Sequence, residues 1–151
     1  MLVNADGKAI VSHRGTSGLQ DFITDARFVL GLHRGSRRFK HASKIQRQAE
    51  AKYGKDNITT TGHSLGAVIA QQVGRRGVET ITVNKPVGIL DIRRRIPDNQ
   101  TDVKTSFDPV SFLRPFQRGK KATVIGSRTL NPLTEHSYER LHQLGRPSVG
   151  V

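Results

Sequence analysis

Residues 57–74 read as a strand that turns into a helix within a single residue, and little else in the chain restricts the fold so tightly. Asn57-Ile58-Thr59-Thr60-Thr61 is β-branched and ends at Gly62. Leu65, Val68, Ile69 and Val73 then recur at helical spacing, up to a stop at Gly74 or Gly77. Between them lies Gly62-His63-Ser64-Leu65-Gly66, the G-x-S-x-G pattern. A strand that reverses into a helix this sharply leaves no room for side chains two residues either side of the turn, which is what the two glycines supply. The chemical consequence is specific. A serine hydroxyl is a poor nucleophile until a base takes its proton and donors await the oxyanion. On such a turn its Oγ projects from the sheet edge, and the free N–H groups of the helix start face developing negative charge. Ser64 is therefore the candidate nucleophile, and the N–H of Leu65 one candidate oxyanion donor.

The flanking sequence predicts an α/β domain. Ala9-Ile10-Val11-Ser12-His13 reads as a short strand entering a turn at Arg14-Gly15-Thr16-Ser17-Gly18. A helix is expected over about 19–32, from Leu19, Phe22, Ile23, Ala26, Val29 and Leu30. A second runs from a Ser36 cap to about Tyr53, stopped by Gly54, with Phe39, Ala42, Ile45 and Ala49 as its apolar stripe. Further strands are expected at Glu79–Val83, Asp102–Ser106 and Lys121–Ile125, with a loop or short helix through Arg93-Arg94-Arg95 and Pro97. Strands alternating with helices imply a mostly parallel sheet covered on both faces, a three-layer sandwich in one domain spanning 1–151.

A strand–elbow–helix unit of this kind takes its acid and its histidine later in the chain, in that order. The downstream acids are Glu79, Asp91, Asp98, Asp102, Asp108, Glu135 and Glu139. Asp108 alone falls just past the C-terminal end of a strand, where catalytic groups collect in open α/β sheets, and Pro109 stiffens the segment after it. Only His136 and His142 come after it. His136 lies on a loop beyond the last strand and is preferred; His142 falls in a segment with helical character. His13, His33, His41 and His63 precede Asp108 and are set aside. No histidine pair has zincin spacing, so neither a metal nor a cofactor is called for.

Composition narrows the setting. There is no cysteine, so neither a disulfide nor a thiolate nucleophile enters. Mean hydropathy is −0.48, and no apolar run is long enough to span a bilayer. No secretory signal is visible at the start, which with the absence of cysteine points to an intracellular or virion-associated setting. Twenty-five Lys and Arg against twelve Asp and Glu give a net charge of +13. The basic clusters are dispersed, at 37–40, 75–76, 93–95 and 118–121. Such a field attracts polyanions, either an anionic membrane surface or nucleic acid, the second being the less favoured.

Four blocks together resemble the fungal-type class 3 lipases, a branch of the α/β-hydrolase fold. They are His13-Arg14-Gly15-Thr16, Asp21-Phe22-Ile23-Thr24-Asp25, Thr61-Gly62-His63-Ser64-Leu65-Gly66-Ala67, and Phe107-Asp108-Pro109-Val110 with His136. The resemblance implies a serine esterase or lipase acting on lipid carboxylic esters, triacylglycerol or phospholipid, through a Ser64–Asp108–His136 triad. It adds Thr16 as a second oxyanion donor and Asp25 as the group that orients the Thr16 hydroxyl. The chain also differs from the family in being shorter and more basic, and the rival expectation is a catalytically silent, lipase-like structural or virion-associated protein that binds anionic partners.

Overall fold

The computed structural model describes residues 1–15, 36–74, 77–87, 95–105, 119 and 122–125. Within them lie six strands: β1 (Leu2–Val3), β2 (Ala9–His13), β3 (Ile58–His63), β4 (Glu79–Val83), β5 (Gln100–Thr105) and β6 (Thr123–Ile125). Two α-helices accompany them, α1 (Arg37–Tyr53) and α2 (Leu65–Gly74), with a 3₁₀ turn at Lys55–Asn57. All six strands form one sheet in chain order. β1 and β2 make an antiparallel hairpin; every other neighbouring pair is parallel.

The strand order explains where the helices lie. Parallel strands that advance steadily in one direction through right-handed crossovers carry their connecting helices on one face. Both described helices do this. Ala49 of α1 packs with Ala9, Val11, Ile58 and Val78, while Ala42 joins Leu65, Ile69 and Val73 of α2. On the other face Ser12 is exposed, Thr61, Val83, Val103 and Ile125 are half-buried, and Thr105 is buried. The described residues supply two of the expected layers, the sheet and the helices on one of its faces.

Most elements follow the sequence closely. Ser36 caps α1, its Oγ accepting from the N–H of Phe39 at 3.1 Å, and the N–H of Gly54 closes the helix on the carbonyl of Glu50 at 3.0 Å. Ile45 corrects the expected stripe. It is 36% exposed, and Gln46 is buried in its stead beside Ala42 and Ala49. The reason is on the sheet, where the Oγ1 of buried Thr60 donates to Gln46 Oε1 at 3.0 Å. A polar strand face recruits a polar helix residue. Asn57 belongs to the 3₁₀ turn rather than to β3, and β5 starts earlier than expected, at Gln100. The expected helix over 19–32 lies outside the described residues.

The helix-facing side of the sheet is unusually polar for a core. Thr60, Thr80, Thr82, Gln100 and Asp102 are all buried on it. Charge is buried there too: Lys85 Nζ lies 3.1 Å from Asp102 Oδ2, each side chain only 3% exposed. Asp102 Oδ1 accepts from Thr82 Oγ1 at 2.6 Å and from Gln100 Nε2. Taking two such ions out of water costs several kcal/mol each, so the pair persists because these extra donors complete it. Removing one partner should cost far more than removing the charge of both. In urea unfolding, Lys85→Met is expected to lose about 3–5 kcal/mol. Lys85→Met combined with Asp102→Asn should recover a large part, since Asn still accepts from Thr82 and Gln100.

Candidate functional site

Ser64 lies between β3 and α2, and its backbone is in the left-handed region, φ 56°. Left-handed backbone at a residue other than Gly costs of order 1–3 kcal/mol and persists only where the surroundings enforce it. Here they do. The N–H of Ser64 donates to the carbonyl of Val83 on β4 at 3.0 Å, and its own carbonyl accepts from Ala67 at 2.9 Å. The two glycines are obligatory on steric grounds. A Cβ on Gly62 would fall on the backbone of Gly66 and 2.7 Å from the nitrogen of Ala67. A Cβ on Gly66 would fall on the His13 carbonyl and 2.9 Å from the carbonyl carbon of Arg14. Ser64 is 4% exposed, and Leu65, the first residue of α2, is buried.

The end of β2 closes on this turn. Gly15 lies so near that a Cβ there would meet the His63 carbonyl at 2.7 Å and Ser64 Cβ at 3.5 Å. Arg38, in the first turn of α1, fixes that stretch: one guanidinium nitrogen, Nη2, donates to the carbonyls of Arg14 at 2.7 Å and of Gly15 at 2.6 Å. The next residue after Gly15 is Thr16. On the opposite side, Asn84 ends β4 with φ 44°, its N–H donating to Val103 and its Oδ1 accepting from Thr105, both at 2.9 Å. This stitches β4 to the C-terminal end of β5, which leads on to Asp108.

Of the residues assigned a role from sequence, Ser64 and Leu65 are thereby brought together on the elbow. Thr16, Asp25, Asp108 and His136 lie outside the described residues. Three of the competing acids are engaged elsewhere. Glu79 accepts from Thr59 Oγ1 at 2.6 Å, Asp98 faces Arg95 at 3.4 Å, and Asp102 is held by Lys85. Arg38 and Asn84 were not anticipated. Nothing in the sequence marks Arg38, whereas an Asn just after a β-branched strand and before Lys-Pro is a residue suited to left-handed backbone. Among the described residues, no group of three or more His, Cys, Asp or Glu could hold a metal ion. A cavity of about 370 Å³ lies against the face of the sheet opposite α1 and α2, lined by Ser12, Thr61, Gly62, His63, Val83, Val103 and Ile125; Ser64 is not part of its lining.

The fold defined by this sheet and elbow is that of the α/β hydrolases. Among solved structures, a predicted CIB-like hydrolase of Thermoplasma acidophilum superposes with a TM-score of 0.55 at 15% identity, covering 95% of this chain and 86% of its own. RedJ, crystallised with a PEG molecule in its active site, superposes with a TM-score of 0.50 at 12% identity, covering 91% and 89%. At such identities the likeness is one of fold. No protein-family model and no curated protein matches the chain.

His13 ends β2 next to the turn that meets the elbow, and it is buried on the helix side. Burial lowers its pKa below the ordinary 6.5, the Gln46 amide working the other way. Among the described residues, His13 Nε2 has no hydrogen-bond partner, so a proton added there would gain nothing in return. The unfolded chain takes up that proton near 6.5, the folded chain only at lower pH. Stability from this group is therefore complete above 6.5 and is lost as pH falls through the folded value. Replacing His13 with Gln should remove that dependence, so the stability difference between wild type and His13→Gln, read from urea midpoints, should be constant above 6.5 and shrink below it.

Proposed function

We propose that the chain is a carboxylic ester hydrolase that works through an acyl-enzyme, in a single α/β-hydrolase domain spanning 1–151. The observation that carries this reading is the left-handed Ser64 on a strand-to-helix turn, flanked by two positions that tolerate no side chain. Strain of this kind is retained where it aims a reactive group. In the proposed mechanism His136 takes the Ser64 proton as Oγ attacks the ester carbonyl. Asp108 holds the His136 ring and balances the imidazolium. The N–H groups of Leu65 and Thr16 receive the oxyanion, and Asp25 orients the Thr16 hydroxyl. His136 then returns the proton to the departing alcohol, and water, activated by the same ring, releases the acid. The position of Gly15 against Ser64 supports the assignment of Thr16, and the likeness to the CIB-like hydrolase fold supports hydrolysis as the reaction.

The substrate proposed is a lipid carboxylic ester, triacylglycerol or phospholipid, on the four sequence blocks shared with the class 3 lipases. The net charge of +13 supports a substrate presented at an anionic surface, in an intracellular or virion-associated setting. The same charge favours the rival reading, a silent lipase-like structural protein.

A fluorophosphonate probe separates the two, because only an activated serine reacts. Wild type is expected to be labelled at Ser64 and to hydrolyse a soluble short-chain p-nitrophenyl ester, and Ser64→Ala to lose both. An unlabelled wild type would establish the silent reading. Arg38 provides a finer check. With Arg38→Met the Arg14–Gly15 carbonyls lose their donor, so the oxyanion side of the site loosens while the elbow stays. The expected result is a fall in kcat of about 10- to 100-fold with KM little changed, and slower labelling of Ser64 by a similar factor.

A further inference from the structure

Helix α1 carries six Lys or Arg residues and one acid, Glu50. Their placement is not that of a generally basic chain. Ala42, Gln46 and Ala49 mark the buried side, and the side opposite holds Arg37, Lys40, Lys44 and Arg47, all exposed. Along that stripe successive cations are three or four residues apart, where helical side chains are neighbours. Like-charge neighbours at this spacing destabilise a helix, and no acid interrupts the row. The first turn compounds this. It contains no acidic residue, and Arg37, Arg38 and Lys40 sit where the helix dipole already presents positive charge. The arrangement therefore works against the helix itself. An ordinary solvated surface helix of this length gains by interleaving Glu with Lys.

We propose that the outer face of α1 is a docking surface for an anionic lipid bilayer. The stripe from Arg37 to Arg47 is about 15 Å long and straight, which suits a flat array of headgroups. The same helix reaches the elbow: its Arg38 bonds Arg14 and Gly15, and Gly15 touches Ser64. The helix that carries the outer stripe thus also braces the elbow, from its opposite, sheet-facing side. The choice of a membrane over nucleic acid rests on the ester-hydrolase reading, since of the two polyanions only the bilayer contains carboxylic esters.

The test uses the full chain and vesicles of phosphatidylcholine, with or without phosphatidylglycerol, in a sedimentation assay. Wild type should bind the anionic vesicles and not the neutral ones, with affinity that falls as salt rises. The triple variant Lys40→Gln/Lys44→Gln/Arg47→Gln should bind the anionic vesicles about 100-fold more weakly, since each cation near the surface contributes about 1 kcal/mol. It should keep wild-type kcat and KM on the soluble p-nitrophenyl ester and unfold at a slightly higher urea concentration, because like-charge neighbours have been removed. Equal binding by the variant, or no preference of wild type for anionic vesicles, would overturn the docking surface. Tighter binding to duplex DNA than to vesicles, lost in the same variant, would overturn its assignment to lipid. Fluorophosphonate labelling in the same samples keeps the two readings apart. Vesicle binding with Ser64 unlabelled supports the surface and removes the hydrolase; labelling without vesicle binding does the reverse.

Discussion

The structure depends on one crossing, where the end of β2 passes over the start of α2 with backbone against backbone. Gly66 lies under the His13 and Arg14 carbonyls, and Gly62 lies under Gly66. At neither position does the chain have room for a methyl group. This contact sets the separation between β2 and β3 beyond their paired residues, forces Ser64 into left-handed backbone, and delivers Gly15 to its side. Were the crossing looser by the size of a methyl group, the turn could relax and the strain would be lost. Hydrogen bonds then secure what packing imposes: Ser64 to Val83, Asn84 to Val103 and Thr105, and Arg38 to Arg14 and Gly15.

Away from the crossing, the core departs from the usual oil-like interior. With hydrophobic residues at 34%, the chain has few large apolar side chains to spend. Its sheet turns threonines toward the helices and satisfies them laterally: Thr60 with Gln46, Thr82 with Asp102, and Thr80 with the carbonyl of Val78. Buried polar groups stabilise little on balance when paired and destabilise by about 1–3 kcal/mol when orphaned. Such a core therefore gains in specificity of register more than in depth of stability. A shift of β4 against β5 would separate Thr82 from Asp102 and strip the charged Lys85 of its carboxylate.

What was legible in the sequence depended on local rules. The strand at Ala9–His13, the Ser36 cap, the stop at Gly54 and the elbow depend on residues close together in the chain, and the structure has them at those positions. Ile45 is misplaced by periodicity alone, because periodicity registers hydrophobicity and not the polarity of the surface opposite, which selects Gln46. Lys85–Asp102 and Arg38 were not legible for a related reason. Each joins elements whose adjacency exists only after the sheet has formed, and neither side chain differs in sequence from an ordinary surface charge. The β1 hairpin leaves no signal because two residues are too few to show alternation.

Helix α1 links these levels. Its inner face completes the core, its first turn holds the strand end beside Ser64, and its outer face carries a row of positive charge that no acid of the helix interrupts. A partner on the outer face can alter the turn at Ser64 only by binding two arrangements of the helix with different affinity. Ser36 and Gly54 fix both ends of α1, and Gln46 and Ala49 fix its middle against the sheet, so a single arrangement is strongly favoured. An anionic surface would then act by placement, raising the local concentration of substrate beside a site already formed, and not by switching that site on. The Arg38 contacts are the one point where the two roles meet. Arg38 is exposed, so headgroup phosphates could compete for its guanidinium, and any coupling between docking and chemistry must pass through the carbonyls of Arg14 and Gly15.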